Sequence, residues 1–269
     1  MPATVTALSI TPVKSTQLRR VQEIRLDEAG VRENRRFFLI DDQGAMVNAT
    51  HVGALNTVVS TYSDADRRLT LRFPDGRTLE DDVRLGEHVL TRFYGQPMPA
   101  RAVLGRWSQA ISDHVGKPLR LVEAGATGAV DRGAEGAITL ISRASLERLA
   151  ERAEQPSVDA RRFRMLVEID GVAAHEEDGW VGHVLKVGET VLRARGHVGR
   201  CVITSRHPET GDIDLHTLKI LGGYRRNLDT TEPIAFGIYG EILRPGTIRL
   251  GDPVSGGVGV AEPDNVDPG

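Results

Sequence analysis

A chain of 269 residues, 40% hydrophobic and 26% charged, is long enough for one large domain or two ordinary ones, and its composition is not that of a collagen, a coiled coil or a wholly disordered protein. The near balance of 34 basic and 37 acidic residues, net charge −3, excludes a dedicated nucleic-acid binder and leaves room for a local basic pocket. The 29 glycines and 13 prolines are about a sixth of the chain, so many turns between short strands are expected, in an α+β fold that is mostly β. Cys201 is the only cysteine. An internal disulfide and a thiolate-held iron–sulfur or zinc cluster are therefore ruled out, and a reducing cytoplasm is the expected location. The uncharged stretch from Ala45 to Ser63 carries Asn48, Thr50, His51 and Asn56, which speaks against a membrane span. Met1 to Val13 lacks the basic start of a secretion signal.

In chain order, Val5 to Ile10, Ile24 to Leu26, Phe37 to Ile40, Val58 to Tyr62 and Leu69 to Phe73 read as strands. Pro74-Asp75-Gly76 turns the last of them into a hairpin with Arg77 to Leu79. This first half is expected to be a small barrel or sandwich. A helix from Trp107 to Val115 and a strand from Leu119 to Val122 follow. The domain boundary is expected in the Gly/Ala-rich loop after that strand, giving a first domain over 1–122 and a second over 123–254. The second opens with a strand, Ile138 to Ile141, and a helix capped by Ser142 with Leu146, Leu149, Ala150 and Ala153 on one face. Strands at Phe163 to Ile169, Leu185 to Val187 and Val191 to Ala194 come next, then a short helix from Leu215 to Leu221 ending on Gly222-Gly223. Residues 255–269 read as a disordered tail.

Lys14 and Ser15 stand at the end of the first strand, where an ammonium and a hydroxyl could meet an anion; a surface lysine beside a turn is the plainer alternative. Arg35 and Arg36 precede one strand, and Arg161, Arg162 and Arg164 surround Phe163. Strand alternation would send Arg162 and Arg164 to one face, as a phosphate site or a salt-bridge network. Cys201, with Arg200 beside it and His197 nearby, is either a small buried hydrophobe or a thiolate able to attack or to bind a soft metal. His175, Glu176, Glu177 and Asp178 are consecutive, so their side chains should diverge, which favours a solvated acidic loop over a metal site.

Seven segments, taken together, resemble the MOSC family, the molybdenum cofactor sulfurase C-terminal domain preceded by its N-terminal β-barrel domain. They are Pro12-Val13-Lys14-Ser15, Gly30 to Phe37, Leu140 to Leu146, Arg161-Arg162-Phe163-Arg164, Glu177-Asp178-Gly179-Trp180, Arg200-Cys201 with Pro208-Glu209-Thr210-Gly211, and Pro245-Gly246 with Gly251-Asp252. The layout is similar to that of amidoxime-reducing and N-hydroxylated base-reducing enzymes. The resemblance implies an N-terminal β-barrel-like domain followed by a MOSC β-barrel domain with a few short helices. It also implies a molybdenum cofactor (Mo-molybdopterin) between the domains, with Cys201 as metal ligand and catalytic residue. Lys14 and Ser15 match the family's anchoring pair, Arg35 the arginine of its Asp-Arg pair (Asn34 replaces the Asp), and Arg164 the arginine of its RFRxN segment. Leu166 stands where relatives often have Asn. Ser142, Arg162 and Arg200 complete the set of candidate cofactor contacts.

The activity implied is that of an oxidoreductase that reduces N-oxygenated small molecules by oxygen abstraction at molybdenum. With no cluster of its own, the chain would depend on an external electron-transfer protein of ferredoxin or flavoprotein type, and neither nucleic acid nor membrane is expected as a partner. A non-catalytic carrier or sulfur-transfer module and a metal-free cysteine hydrolase or transferase are the alternatives. Pyridoxal phosphate would need a Schiff-base lysine, and the chain has only Lys14, Lys117, Lys186 and Lys219.

Overall fold

The structure, a computed structural model, describes residues 2–125, 131, 133–226 and 228–256. Its first half holds strands β1 (Ala3–Ile10), β2 (Arg19–Val21), β3 (Glu23–Leu26), β4 (Phe37–Ile40), β5 (Met46–Val47), β6 (Val59–Ser63), β7 (Arg68–Arg72), β8 (Thr78–Asp82), β9 (Arg84–Phe93) and β10 (Gln96–Leu104), helix α1 (Trp107–Val115) and strand β11 (Arg120–Ala124). The second half holds β12 (Ile138–Ser142), α2 (Arg143–Arg152), β13 (Val167–Asp170), β14 (Val184–Val187), β15 (Thr190–Gly199), α3 (Thr217–Arg225), β16 (Ala235–Arg244), β17 (Gly246–Arg249) and β18 (Pro253–Gly256). The fold is mostly β, α+β in class, with a closed seven-stranded barrel.

The barrel runs β13-β12-β16-β15-β14-β18-β1 and closes where β1 pairs with β13. Period-two alternation drives it: Val167 and Ile169 of β13 and Leu185 and Val187 of β14 point inward, between more exposed neighbours. Closure removes the unpaired edges an open sheet would present. Strand β1, counted with the first half in the sequence, is thus hydrogen-bonded into the sheet of the second, with Leu8 opposite Val167 and Thr4 opposite Pro253. Similarly β3 pairs with β17, and Ile24 and Leu26 join the barrel core.

In the first half a five-stranded sheet, β5-β4-β11-β10-β9, and a three-stranded meander, β6-β7-β8, share one core. Strand β4, Phe37-Phe38-Leu39-Ile40, is buried throughout because both its faces are covered. Phe37 and Leu39 pack with Tyr62, Leu71 and Trp107, while Phe38 and Ile40 pack with Phe93 and Val122. That explains a continuous apolar run where a half-exposed strand would alternate.

Several sequence expectations need correction. The strand expected over Phe163 to Ile169 begins only at Val167; Ala160–Phe163 is a single 3-10 turn, and Arg164 follows it in the left-handed region at φ 55°. Arg162 and Arg164 therefore do not share a strand face. Helix α3 runs through Gly222-Gly223 to Arg225, since Leu221, Gly222 and Arg225 are buried against their surroundings and packing outweighs glycine's low helix propensity. The long hairpin β9–β10 was not expected; Pro97 and Pro99 and its exposed, polar outer face obscured it. Ser255 and Gly256 belong to β18, and the rest of the expected tail, 257–269, lies outside the described residues.

Candidate functional site

The chain leaves the barrel at Ile10 and returns to it at Arg19, which pairs with Ile10. Between them, residues 11–18 form a loop laid across the first-half sheets. Phe37 N–H donates to Pro12 O (3.0 Å), Lys14 N–H to Phe37 O (2.8 Å) and Gln17 N–H to Val58 O (2.8 Å). Underneath, the buried hydroxyls of Thr11, Thr16 and Ser60 form a triangle with sides of 2.7, 2.7 and 3.2 Å. Asn34 Oδ1 accepts from Thr11 N–H (3.1 Å), and Arg35 N–H donates to Thr11 O (2.7 Å). This is the place of Asn34 in the chain: it ties the bend bearing Arg35, just before β4, to the loop bearing Lys14. Buried, satisfied polar networks of this kind fix one backbone conformation.

Lys14, Arg35 and Arg164 come together although more than a hundred residues separate the last from the first two. Both oxygens of Asp131 are engaged: Lys14 Nζ donates to Oδ1 and Arg35 Nη1 to Oδ2. Arg35 Nη2 donates to Arg164 O (2.6 Å), and Arg164 Nη2 to Thr16 O (2.8 Å). Lys14 Nζ also lies 5.5 Å from the centre of the Phe93 ring and 5.7 Å from that of Tyr94, within cation–π range. Of the eight described non-glycine residues with positive φ, Ser15 (78°), Arg35 (52°) and Arg164 (55°) are in this cluster and Tyr94 (48°) borders it. Such backbone costs of order 1–3 kcal/mol per residue and tends to concentrate at binding sites.

The cluster carries excess positive charge. Burial pushes the Asp131 carboxyl up, but the charges and hydrogen bonds of Lys14 and Arg35 prevail and hold it well below the usual carboxylate range. Burial, and then the like charge of Arg35, push the Arg164 guanidinium down to about 9, with Asp131 opposing. A guanidinium keeps its proton in proteins, so the shift expresses an unmet demand for negative charge. Among the described residues Arg164 has no carboxylate within ion-pair distance.

Cys201 follows β15 as an exposed free thiol at the head of a 3-10 turn, Val202–Ser205, where its carbonyl accepts from Thr204 Oγ1 (3.0 Å). Its neighbour Arg200 donates to Phe163 O (2.8 Å) and Phe236 O (2.8 Å) and reaches Met165 Sδ (3.0 Å). Arg200 and Arg35 thus hold consecutive carbonyls, of Phe163 and Arg164, and link the cysteine segment to the cradle through one turn. Ile203, two residues beyond Cys201, packs on the first-half core, and Arg206 donates to Thr50 O (3.0 Å), so the cysteine loop spans the seam between the halves.

Other predicted residues have different engagements. Arg162 forms a two-pronged pair with Asp214 (2.6 and 2.7 Å) and donates to Arg206 O (2.9 Å). Ser142 is fully buried; it caps α2 by accepting from Ser145 N–H (3.1 Å), as expected, and donates to Glu177 (2.8 Å). Leu166, 4% exposed, is a barrel-core residue. His197 is buried beside Thr231. In the acidic run Glu176 accepts from Ala173 N–H, Glu177 from Ser142 and Ser145, and Asp178 pairs with Arg225; these side chains diverge. The residue missed from sequence is Asp131, whose only signal is that no other acid stands between Glu123 and Glu135.

A seven-stranded barrel is joined to a second β unit, with a basic cluster and an exposed thiol along the seam. The chain belongs to the MOSC family: the MOSC domain matches residues 122–255 and the MOSC N-terminal beta barrel domain residues 2–104. Over 282 aligned residues it is 27% identical to mitochondrial amidoxime-reducing component 1 of Xenopus laevis, covering 93% of this chain and 81% of that protein. Mitochondrial amidoxime reducing component 2 of Rattus norvegicus is 36% identical over 124 residues, 44% of this chain and 36% of that one. Among solved structures, the YUAD protein of Bacillus subtilis overlays with a TM-score of 0.43 at 12% identity, over 94% of each chain.

Proposed function

We propose that this MOSC protein is a molybdenum cofactor-dependent oxidoreductase that reduces N-oxygenated small molecules. The observation that carries the reading is the partly buried cradle of Lys14, Arg35 and Arg164, with one carboxylate against three cations. The donor set fits the group. A phosphate tail calls for charge-assisted donors on a preorganised backbone, and a soft thiolate suits molybdenum better than carboxylates do. The names of the amidoxime-reducing relatives support the substrate class.

In this reading Lys14, Arg35 and Arg164 hold the phosphate, Ser15 contributes at the loop, and Cys201 ligates the metal. When bound, the cofactor supplies two-electron abstraction of oxygen from an N–O bond. The protein's own part is to hold: the Thr11–Thr16–Ser60 triangle fixes Lys14, and Arg200 fixes the turn that carries Arg164. Functionally the chain divides near residue 122, each half supplying part of the cradle, and it works with a separate electron-transfer protein in the cytoplasm. Ser142, Arg162 and Arg200 act behind the cradle by positioning its elements. Among the described residues no helix is long and apolar enough to cross a membrane.

The test is metal and pterin analysis of protein from a cofactor-producing host, followed by turnover of hydroxylamines and amidoximes. Molybdenum and pterin in equal amounts, with reduction driven by dithionite and viologen but not by NADH alone, are expected. Protein free of both, or efficient turnover with NADH alone, would overturn the reading.

A further inference from the structure

Asp131 is assigned no role by the function proposed above, yet it sits where an anion would. Its two oxygens face two donors, Lys14 Nζ and Arg35 Nη1. Of the other cradle donors, Arg35 Nη2 is taken by Arg164 O and Arg164 Nη2 by Thr16 O. A phosphate bound by Lys14 and Arg35 competes with Asp131 for both cations. We propose that Asp131 is a self-supplied counter-ion, occupying the anion site of the cofactor-free protein until a phosphate monoester replaces it. The inference rests on the reading of Lys14, Arg35 and Arg164 as an anion cradle.

Three features favour exchange over a permanent bridge. A carboxylate brings one negative charge and two oxygens, whereas a phosphate monoester brings about 1.5 to 2 charges and three oxygens, enough to serve Arg164 as well. Arg164 has no carboxylate partner among the described residues, so the carboxylate leaves the site under-neutralised. Finally, Asp131 belongs to no strand or helix; it comes from the Gly/Ala-rich connector between β11 and β12, so its departure breaks no sheet ladder. In the empty protein the carboxylate spares Lys14 and Arg35 from facing each other unpaired.

A site filled by its own side chain most of the time binds a competitor more weakly by the fraction of time it is open. Occupancy of 90 to 99% would weaken binding by about 10- to 100-fold. Titration calorimetry of cofactor-free protein with inorganic phosphate tests this. Asp131→Asn and Asp131→Ala are each expected to bind phosphate at least about tenfold more tightly than the parent. Equal or weaker binding would overturn the proposal, since a residue that merely positions Lys14 and Arg35 helps the anion bind. Hydrogen exchange on the unmutated protein gives a second readout that survives a folding defect in the variants. The peptide carrying Asp131 should exchange faster once phosphate is bound, and slower exchange would refute displacement. Lys14→Ala and Arg164→Ala separate this proposal from the one beneath it: both should lose phosphate binding. If both keep the parent's affinity, the cradle itself is misassigned; if they lose it while Asp131→Asn gains nothing, only the counter-ion proposal fails.

Discussion

Arg164 is the cradle residue whose removal separates binding from packing, because among the described residues its side chain makes one hydrogen bond, to the backbone oxygen of Thr16, and no ion pair. A charge-assisted hydrogen bond to phosphate is worth roughly 1.5–3 kcal/mol, so Arg164→Ala should cut pterin retention by more than about tenfold while the melting temperature changes little. Unchanged retention on gel filtration would count against the cradle. Cys201 is exposed and supports no core, so Cys201→Ser should abolish N-oxide reduction and leave pterin content largely intact. Loaded protein should also resist alkylation at Cys201 relative to empty protein, and equal labelling with retained activity would rule out ligation. Lys14, Ser15, Arg35, Arg164 and Cys201 were legible in the sequence as motif residues. That Lys14, Arg35 and Arg164 share one anion site was implied by the resemblance; the route by which they meet was not legible, because it depends on a loop crossing between two sheets. Arg162 was misread for a local reason: a 3-10 turn gives neighbours a threefold spread in place of strand alternation. Asp131 could not be read at all, since nothing around it in sequence suggests that two distant cations meet it.

Elements with a strong hydrophobic pattern, such as β4, α1 and β12, fall where the sequence put them; those shaped by tertiary contacts do not. The turn Glu176–Trp180 shows why. Its first neighbour, His175, takes the left-handed region at φ 65° and packs its ring 5.7 Å from Tyr224 on α3 and 5.8 Å from Phe236 on β16. Neither ring nitrogen has a hydrogen-bond partner among the described residues. Burial, and then Arg225, hold the imidazole down at about 4, with Asp178 opposing and Arg148 adding a little. The unfolded chain therefore takes up the proton first as pH falls. Stability from this residue is complete above about 6.5, the unfolded value, and is lost progressively down to about 4. Because the ring is only partly buried, the loss should be about 1–2 kcal/mol, below what the full shift would give. His175→Phe keeps the aromatic packing and removes the titration. Its left-handed backbone strain is independent of pH, so the difference between variant and parent in urea unfolding between pH 7 and pH 4 isolates the effect. A parent and variant that lose stability in parallel would exclude His175 as the source. Glu177, whose buried carboxyl is pushed up by desolvation against the hydrogen bonds from Ser142 and Ser145, contributes the opposite slope and cancels in that comparison.

At the scale of the whole molecule, the order of segments in sequence and the boundaries of the cores disagree. Val5, Leu8, Ile10, Ile24, Leu26 and Val31, all from the first half, are buried in the same core as Leu140, Val167, Leu185 and Ile238 of the second. They complete a barrel that the second half cannot close alone, because β1 bridges β13 and β18. This arrangement also positions the site: the strand that closes the barrel runs directly into the Lys14 loop, so barrel closure and cradle assembly are expected to be coupled in folding. Burying such side chains is worth roughly 1.5–3 kcal/mol each, and six of them amount to about 10 kcal/mol or more, as large as the net stability of an ordinary domain. A fragment of residues 122–256, although it contains the matched MOSC segment, should therefore fail to fold, leaving the edges of β13 and β18 open and prone to aggregate. The full chain, by contrast, should keep its barrel and cradle together through one cooperative urea transition, followed in parallel by circular dichroism and by phosphate binding. A soluble fragment with a sharp melt and a dispersed amide spectrum would mean that β1 is an accessory strand, and that the coupling between barrel closure and the cradle does not hold.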